Sequence, residues 1–261
     1  MTPEAAARAA ELLLAARRAA HRIGALPAEL RPATADQGYQ VQDAFVDRSG
    51  DRPAGFKIGA TSPRAQDFLS CDGPFAGTVL AGDLIESPAT LSAGRFVFRL
   101  IEPEFAVTLG RDLPPRQVAY DMRDVAGAVA NLHPAIEVVT SVLENWAGQG
   151  VPSLIADNGV NGALVLGPAC RDWQDFDLAG HEVTLSVNGA PAGSGQGANA
   201  LGHPLAALAW LANERSRRGR GLATGQVVTT GVVTVFVELS AGDEAVADFG
   251  ALGEVRVRFT G

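Results

Sequence analysis

The feature that most constrains this chain is a change of hydrophobic period near Gly55. Upstream of it, apolar residues recur at helical spacing; downstream they fall in short continuous or alternating runs divided by glycine, proline and aspartate. The first pattern builds helices and the second builds strands. The chain therefore reads as α+β: a small helical N-terminal cap over residues 1–52, then a β-rich catalytic domain over residues 53–261, folded as a mixed β-roll or sandwich.

Thr2 and Pro3 supply an N-cap and a first-turn proline, and Ala6, Ala9, Leu12, Leu13, Ala16 and Ala20 keep helical spacing until Gly24 and Pro27. A second helix is predicted from near Thr34, with Tyr39, Val41, Gln42, Phe45 and Val46 on its apolar side and a stop at Ser49-Gly50. Strands are predicted over 55–59, 104–109, 135–139, 162–166, 182–187, 227–230, 232–239 and 255–259. Two helices interrupt them. One runs through Val118, Met122, Val125, Ala126, Val129 and Leu132, and the other covers 205–213 behind Gly202, His203 and Pro204.

Charge and composition exclude several classes. The net charge is −8 and the only basic cluster is Arg217, Arg218 and Arg220, so the footprint of a nucleic-acid binder is missing. No stretch approaches the ~18–20 uncharged apolar residues of a membrane span. The first twenty residues carry Glu4, Arg8, Glu11, Arg17 and Arg18 at helical intervals, so a helix is expected there and not a signal peptide, in a cytoplasmic protein with no membrane partner. Cys71 and Cys170 lie far apart outside any CxxC pattern, which predicts two free thiols serving as core filler.

The chemistry concentrates in acidic residues. In Ile101-Glu102-Pro103-Glu104 two carboxylates stand two residues apart on a predicted strand, where alternate side chains share a face. Like charges so close raise one another's pKa unless a cation lies between them. A third carboxylate, Glu137, interrupts the apolar run Ala135-Ile136-Val138-Val139, and a carboxylate buried there needs an ion-pair partner or a metal. Two arrangements satisfy this pattern. Either the three bind one hard divalent ion, or Glu102 and Glu104 form a solvated strand edge while Glu137 pairs with an arginine such as Arg99. Three oxygen donors without Cys or His would select Mg²⁺ or Mn²⁺ over zinc.

Lys57 is the only lysine of the chain and alternates with apolar neighbours in Gly55-Phe56-Lys57-Ile58-Gly59. It reads either as surface decoration or as a group for proton transfer and enolate stabilisation. Two polar stretches offer candidate substrate-binding residues: Asp157, Asn158 and Asn161 in one, and Ser194, Gly195 and the following His203 in the other. Both stretches also fit plain turns. His21, His133 and His181 have no ligand spacing and read as structural, and no Gly-x-Ser-x-Gly elbow supports a serine hydrolase.

Taken in order, Tyr39-Gln40-Val41-Gln42, Lys57-Ile58-Gly59-Ala60-Thr61-Ser62, Ile101-Glu102-Pro103-Glu104, Pro134-Ala135-Ile136-Glu137-Val138, Ala156-Asp157-Asn158, Leu201-Gly202-His203-Pro204, Thr230-Gly231, Gly242-Asp243 and Leu252-Gly253 resemble a known family. It is the 2-keto-4-pentenoate hydratase and 4-oxalocrotonate decarboxylase group of the fumarylacetoacetate hydrolase superfamily. The resemblance spans nearly the whole chain. It implies a divalent cation held by Glu102, Glu104 and Glu137 and chelated by the C1 carboxylate and C2 oxygen of a small 2-oxo or 2-hydroxydienoic acid. It also implies Lys57 as the active-site lysine, the mixed β-roll of that superfamily, and a homo-oligomer able to associate with a pathway relative. The implied activity is a lyase of aromatic meta-cleavage catabolism: a hydratase of 2-hydroxypenta-2,4-dienoate, or else a 2-oxohex-3-enedioate decarboxylase or a non-catalytic partner subunit. One departure stands out. Where hydratases carry aspartate in a Pro-Asp-Phe-Gly-like stretch, this chain reads Pro74-Phe75-Ala76-Gly77, with Phe75 in place of the acid.

Overall fold

The computed structural model describes residues 1–261. Two helices open the chain, α1 (Pro3–Arg18) and α2 (Ala35–Ser49). They are followed by β1 (Pro53–Gly59), α3 (Pro63–Leu69), β2 (Phe75–Leu80), β3 (Leu84–Glu86), β4 (Ala89–Ser92), β5 (Leu100–Leu109), α4 (Met122–Ala126) and β6 (Val129–Val139). The second half adds α5 (Val151–Ala156), β7 (Asn161–Leu166), β8 (Glu182–Val187), β9 (Ala190–Gln196), α6 (Pro204–Arg217), β10 (Val227–Val232), β11 (Val237–Glu238), β12 (Glu244–Asp248) and β13 (Glu254–Thr260). This is the expected mixed fold with N-terminal helices. No helix is long and apolar enough to cross a membrane.

The predicted caps organise the opening helices. Thr2 accepts a hydrogen bond from the Ala5 amide, Thr34 accepts one from the Gln37 amide, and Gly50 closes α2 in the left-handed conformation. Their apolar sides meet in a cluster of Leu13, Leu14, Val41 and Phe45, which also takes in Val142, Leu143 and Ala156 from the body. Arg17 adds a polar latch. Its Nε lies 2.7 Å from Asp157 Oδ1, and Nη2 donates to the Asp157 carbonyl at 2.6 Å.

The body consists of two mixed sheets. One has the order β2-β1-β10-β5-β6-β7-β3 with β11 added against β5, and the other runs β4-β13-β12-β8-β9. Phe105, Ile136, Val138, Val255, Val257 and Phe259 belong to the largest buried cluster, which joins the two. Strands β5 and β6, each lying between paired neighbours, are buried on both faces and so read as nearly continuous apolar runs.

Several expectations are corrected. The helix predicted through Val118 to Leu132 shrinks to α4. Asp121 and Asp124 form a capping box at its start, the helix stops before Gly127, and Val129 and Leu132 belong to β6. Val118 and Met122, which lent the pattern its helical spacing, are exposed. The strand expected over 232–239 reduces to β11, because Val232 ends β10 and a bend separates the two. The glycine-rich stretch around Ser194 is a strand, β9, with its backbone paired to β8. Its composition hid this, since glycine and proline are poor strand formers on their own.

Candidate active site and metal centre

Glu102 and Glu137 are directly opposed across the β5–β6 ladder, and Glu104 is one pleat further along, opposite Ala135. All three therefore point to the same face of the sheet. One carboxylate oxygen from each lies within 4.8 Å of the others. Glu104 and Glu137 have no exposed surface, while Glu102 is half-buried.

Lys57 reaches the same point from β1, although β10 and β5 separate its strand from β6. The sheet must curl for this to happen. Lys57 Nζ stands 3.3 Å from Glu137 Oε1, an ion-pair distance without hydrogen-bond alignment. Only 2% of Lys57 is exposed, so surface decoration is ruled out.

The fourth element is a bulge in β10. Its register against β5 slips between Thr229 and Val232, which turns the Gly231 amide inward to donate to Glu104 Oε2 at 2.6 Å. Gly231 has φ +100°, and a Cβ there would fall 1.8 Å from Thr61 Oγ1. Glycine is required on both counts.

The electrostatics favour a cation. Burial, then repulsion from Glu137, pushes Glu102 up to about 7 despite Lys57. Burial and the same repulsions hold Glu104 well above the carboxylate range, and burial raises Glu137 as well. Burial works to lower Lys57, but the three carboxylates outweigh it and hold the ammonium above its ordinary range. Three carboxylates and one ammonium leave a formal charge of −2. Glu104 Oε1 and both oxygens of Glu137 are buried with no hydrogen-bond partner. Orphaned carboxylate oxygens cost free energy unless a metal ion uses them, so the donor set fits a hard divalent ion. The alternative pairing with Arg99 does not occur, since that guanidinium donates to the Leu239 and Ala93 carbonyls.

Above this cluster lies a narrow cavity of about 40 Å³, and 12 of its 15 lining residues are hydrophobic. Lys57 and Glu102 form its polar floor, and Phe75, Phe68, Trp146 and Phe236 are among its walls. Phe68, Trp146 and Phe236 escaped the sequence reading because nothing in their spacing links three separate segments.

The family model described as Fumarylacetoacetate (FAA) hydrolase C-terminal matches residues 78–260. The chain belongs to this family. Curated relatives of this FAA hydrolase family member include 2-keto-4-pentenoate hydratase 2 of Dechloromonas aromatica, 34% identical with 99% of this chain and 98% of the relative covered. Another is 2-hydroxyhexa-2,4-dienoate hydratase of Comamonas testosteroni, 32% identical with 87% of each covered. Among solved structures, 4-oxalocrotonate decarboxylase from Pseudomonas putida G7, complexed with magnesium and adipate, superposes with a TM-score of 0.92 at 27% identity. That match covers 99% of this chain and 98% of the decarboxylase. The same enzyme has been solved with calcium and acetate. The related enzymes act on small unsaturated acids and neighbouring structures bind divalent metals.

Within this FAA hydrolase fold, Lys57, Glu102, Glu104 and Glu137 come together, and the other candidate residues do not line the cavity. Asp157 is buried and committed to Arg17, Ser141 Oγ (2.6 Å) and the Val142 amide (3.1 Å). Asn158 brackets Thr78, accepting from its amide at 2.9 Å and donating to its carbonyl at 2.8 Å, and Asn161 also leans on the Thr78 carbonyl. His203 caps α6, its Nδ1 accepting from the Leu205 amide. Ser194 and Gly195 lie in a separate surface hollow with Glu182 and Thr184. Position 75 has no acidic substitute: Asp72 and Glu144 are exposed, and neither lines the cavity. The Phe75 ring sits 5.7 Å from Lys57 Nζ, and Tyr39 and Gln42 of α2 tie down the neighbouring Ala76 backbone.

Proposed function

We propose that this chain is a divalent-metal-dependent lyase that adds water to a 2-hydroxypenta-2,4-dienoate-type acid to give a 4-hydroxy-2-oxo acid. The observation that carries the reading is the trio of clustered carboxylates beside a buried lysine, with orphaned oxygens on Glu104 and Glu137 and with Glu102 on the floor of an apolar cavity. Glu102, Glu104 and Glu137 would hold the ion, and their all-oxygen set suits Mg²⁺ or Mn²⁺. When bound, such an ion supplies Lewis-acid stabilisation of negative charge on the acid.

The chain's own groups do the rest. Lys57 Nζ, 3.3 Å from Glu137 Oε1 and on the cavity floor beside Glu102, is placed to pass a proton to or from substrate atoms there. Apolar walls exclude bulk water and strengthen every charge interaction inside. The Gly231 amide fixes one oxygen of Glu104 and leaves the other free for a ligand role. The same reading takes residues 1–52 as a helical cap and 53–261 as the catalytic body. It also includes a cytoplasmic homo-oligomer, on the strength of the family likeness alone.

A second reading, decarboxylation of 2-oxohex-3-enedioate, is favoured by Phe75 standing where the resemblance places a hydratase acid and by the TM-score of 0.92 to the decarboxylase. Ultraviolet absorbance separates the two. With Mg²⁺ or Mn²⁺ the purified protein is expected to consume 2-hydroxypenta-2,4-dienoate, and to stop when EDTA is added. Loss of carbon dioxide from the diacid, with the dienoate untouched, would establish the decarboxylase. No turnover of either, with metal bound, would leave the partner-subunit reading standing.

A further inference from the structure

The cavity has two chemically distinct ends, and the far one carries information about the substrate. Lys57, 2% exposed, and Glu102 mark the floor, while Phe68, 49% exposed, marks the mouth. At the mouth Phe68 packs against Trp146 with ring centroids 5.8 Å apart and against Phe236 at 5.6 Å. Trp146 is in turn stacked on the buried Phe98 at 5.8 Å, which fixes its plane. Phe68 is one of only four large hydrophobic side chains exposed on the molecule, and the only one of them that lines the cavity.

We infer that this aromatic mouth is a specificity site for an uncharged, apolar substituent on the far carbon of the acid, and that it discriminates against a second carboxylate. The inference rests on the functional reading above, in which the carboxylate end binds at the glutamates. Three observations carry it. The cavity wall offers no cation besides Lys57, and that ammonium is engaged by Glu137. Arg64 does not line the cavity, and its guanidinium lies over the Phe236 ring, 5.8 Å from the centroid. A carboxylate placed among Phe68, Trp146 and Phe236 would lose hydration with at most the neutral Trp146 indole N–H to replace it, whereas an alkyl or aryl group would bury apolar surface on three rings.

The test is calorimetric binding to the Mg²⁺-loaded protein, which needs no turnover. The probes are oxalate as the head group alone, the series 2-oxobutanoate, 2-oxopentanoate and 2-oxohexanoate, and the diacid 2-oxoadipate. Affinity is expected to rise about three- to fourfold per added methylene, and 2-oxoadipate is expected to bind more weakly than 2-oxohexanoate. Phe68→Ala and Phe236→Ala should flatten the series without changing the oxalate affinity, and Arg64→Ala should leave the ranking as it is. If oxalate binds while the series is flat, or if 2-oxoadipate binds best and loses its advantage in Arg64→Ala, the apolar-mouth inference is wrong and the metal reading survives. If oxalate fails to bind at all, both fall together.

Discussion

Lys57 is a cation in an apolar wall, and it stays charged because three carboxylates surround it. Replacing it with methionine is expected to lower turnover by about 10²–10⁴-fold, the usual contribution of a positioned proton donor. Mn²⁺ affinity should hold or rise, since a competing cation has left. Steady-state kinetics alongside a metal titration would check the split, and parallel loss of both would make Lys57 a structural residue. The sequence marked Lys57 as the only lysine and Glu137 as an acid inside an apolar run. What it could not convey was their contact, because that depends on a sheet curling across two intervening strands.

At the level of elements, β10 matters more than its apolar sequence suggests. The Val227-Val228-Thr229-Thr230 run was legible as a strand, but the bulge that follows was not, since a glycine in a strand says only that something irregular is near. In the structure that irregularity supplies the amide that orients Glu104. Gly231→Ala combines a left-handed backbone with overlap on Thr61, so a loss of about 2–5 kcal/mol is expected from strain and overpacking. Urea unfolding measures that loss, and a weakened Mn²⁺ site should accompany it. An alanine variant with unchanged stability and metal affinity would show that the bulge has no role in the site. The α4 error has a related cause. Residues 118–132 alternate between exposed loop, a helix of one turn and a buried strand, and their apolar spacing imitates one continuous helix.

For the whole molecule, the helical cap and the β body are joined by the Leu13–Phe45 cluster and by Arg17 docked on buried Asp157. Breaking such a pair leaves an uncompensated buried carboxylate, so Arg17→Ala is expected to cost about 3–5 kcal/mol of stability. Thermal melting should fall while turnover of the folded fraction is kept, because Arg17 lies outside the cavity. Sequence patterning gave the N-terminal helices and the strands that follow them. It assigned Asp157 to the substrate because a polar stretch before a strand looks the same whether it faces a ligand or a docked helix. The measurement that bears most directly on the central claim is titration of the metal-free protein with Mn²⁺, followed by loss of the free-ion electron paramagnetic resonance signal, for the native chain and for Glu104→Gln. Burial and mutual repulsion raise the glutamates, Glu102 up to about 7, so protons compete with the metal and affinity should rise as pH increases through that value. One Mn²⁺ per native chain is expected near pH 8, with weaker binding near pH 5.5 and at least about 10²-fold weaker binding in Glu104→Gln. Equal binding by the variant, or none by the native chain at either pH, would contradict the central claim.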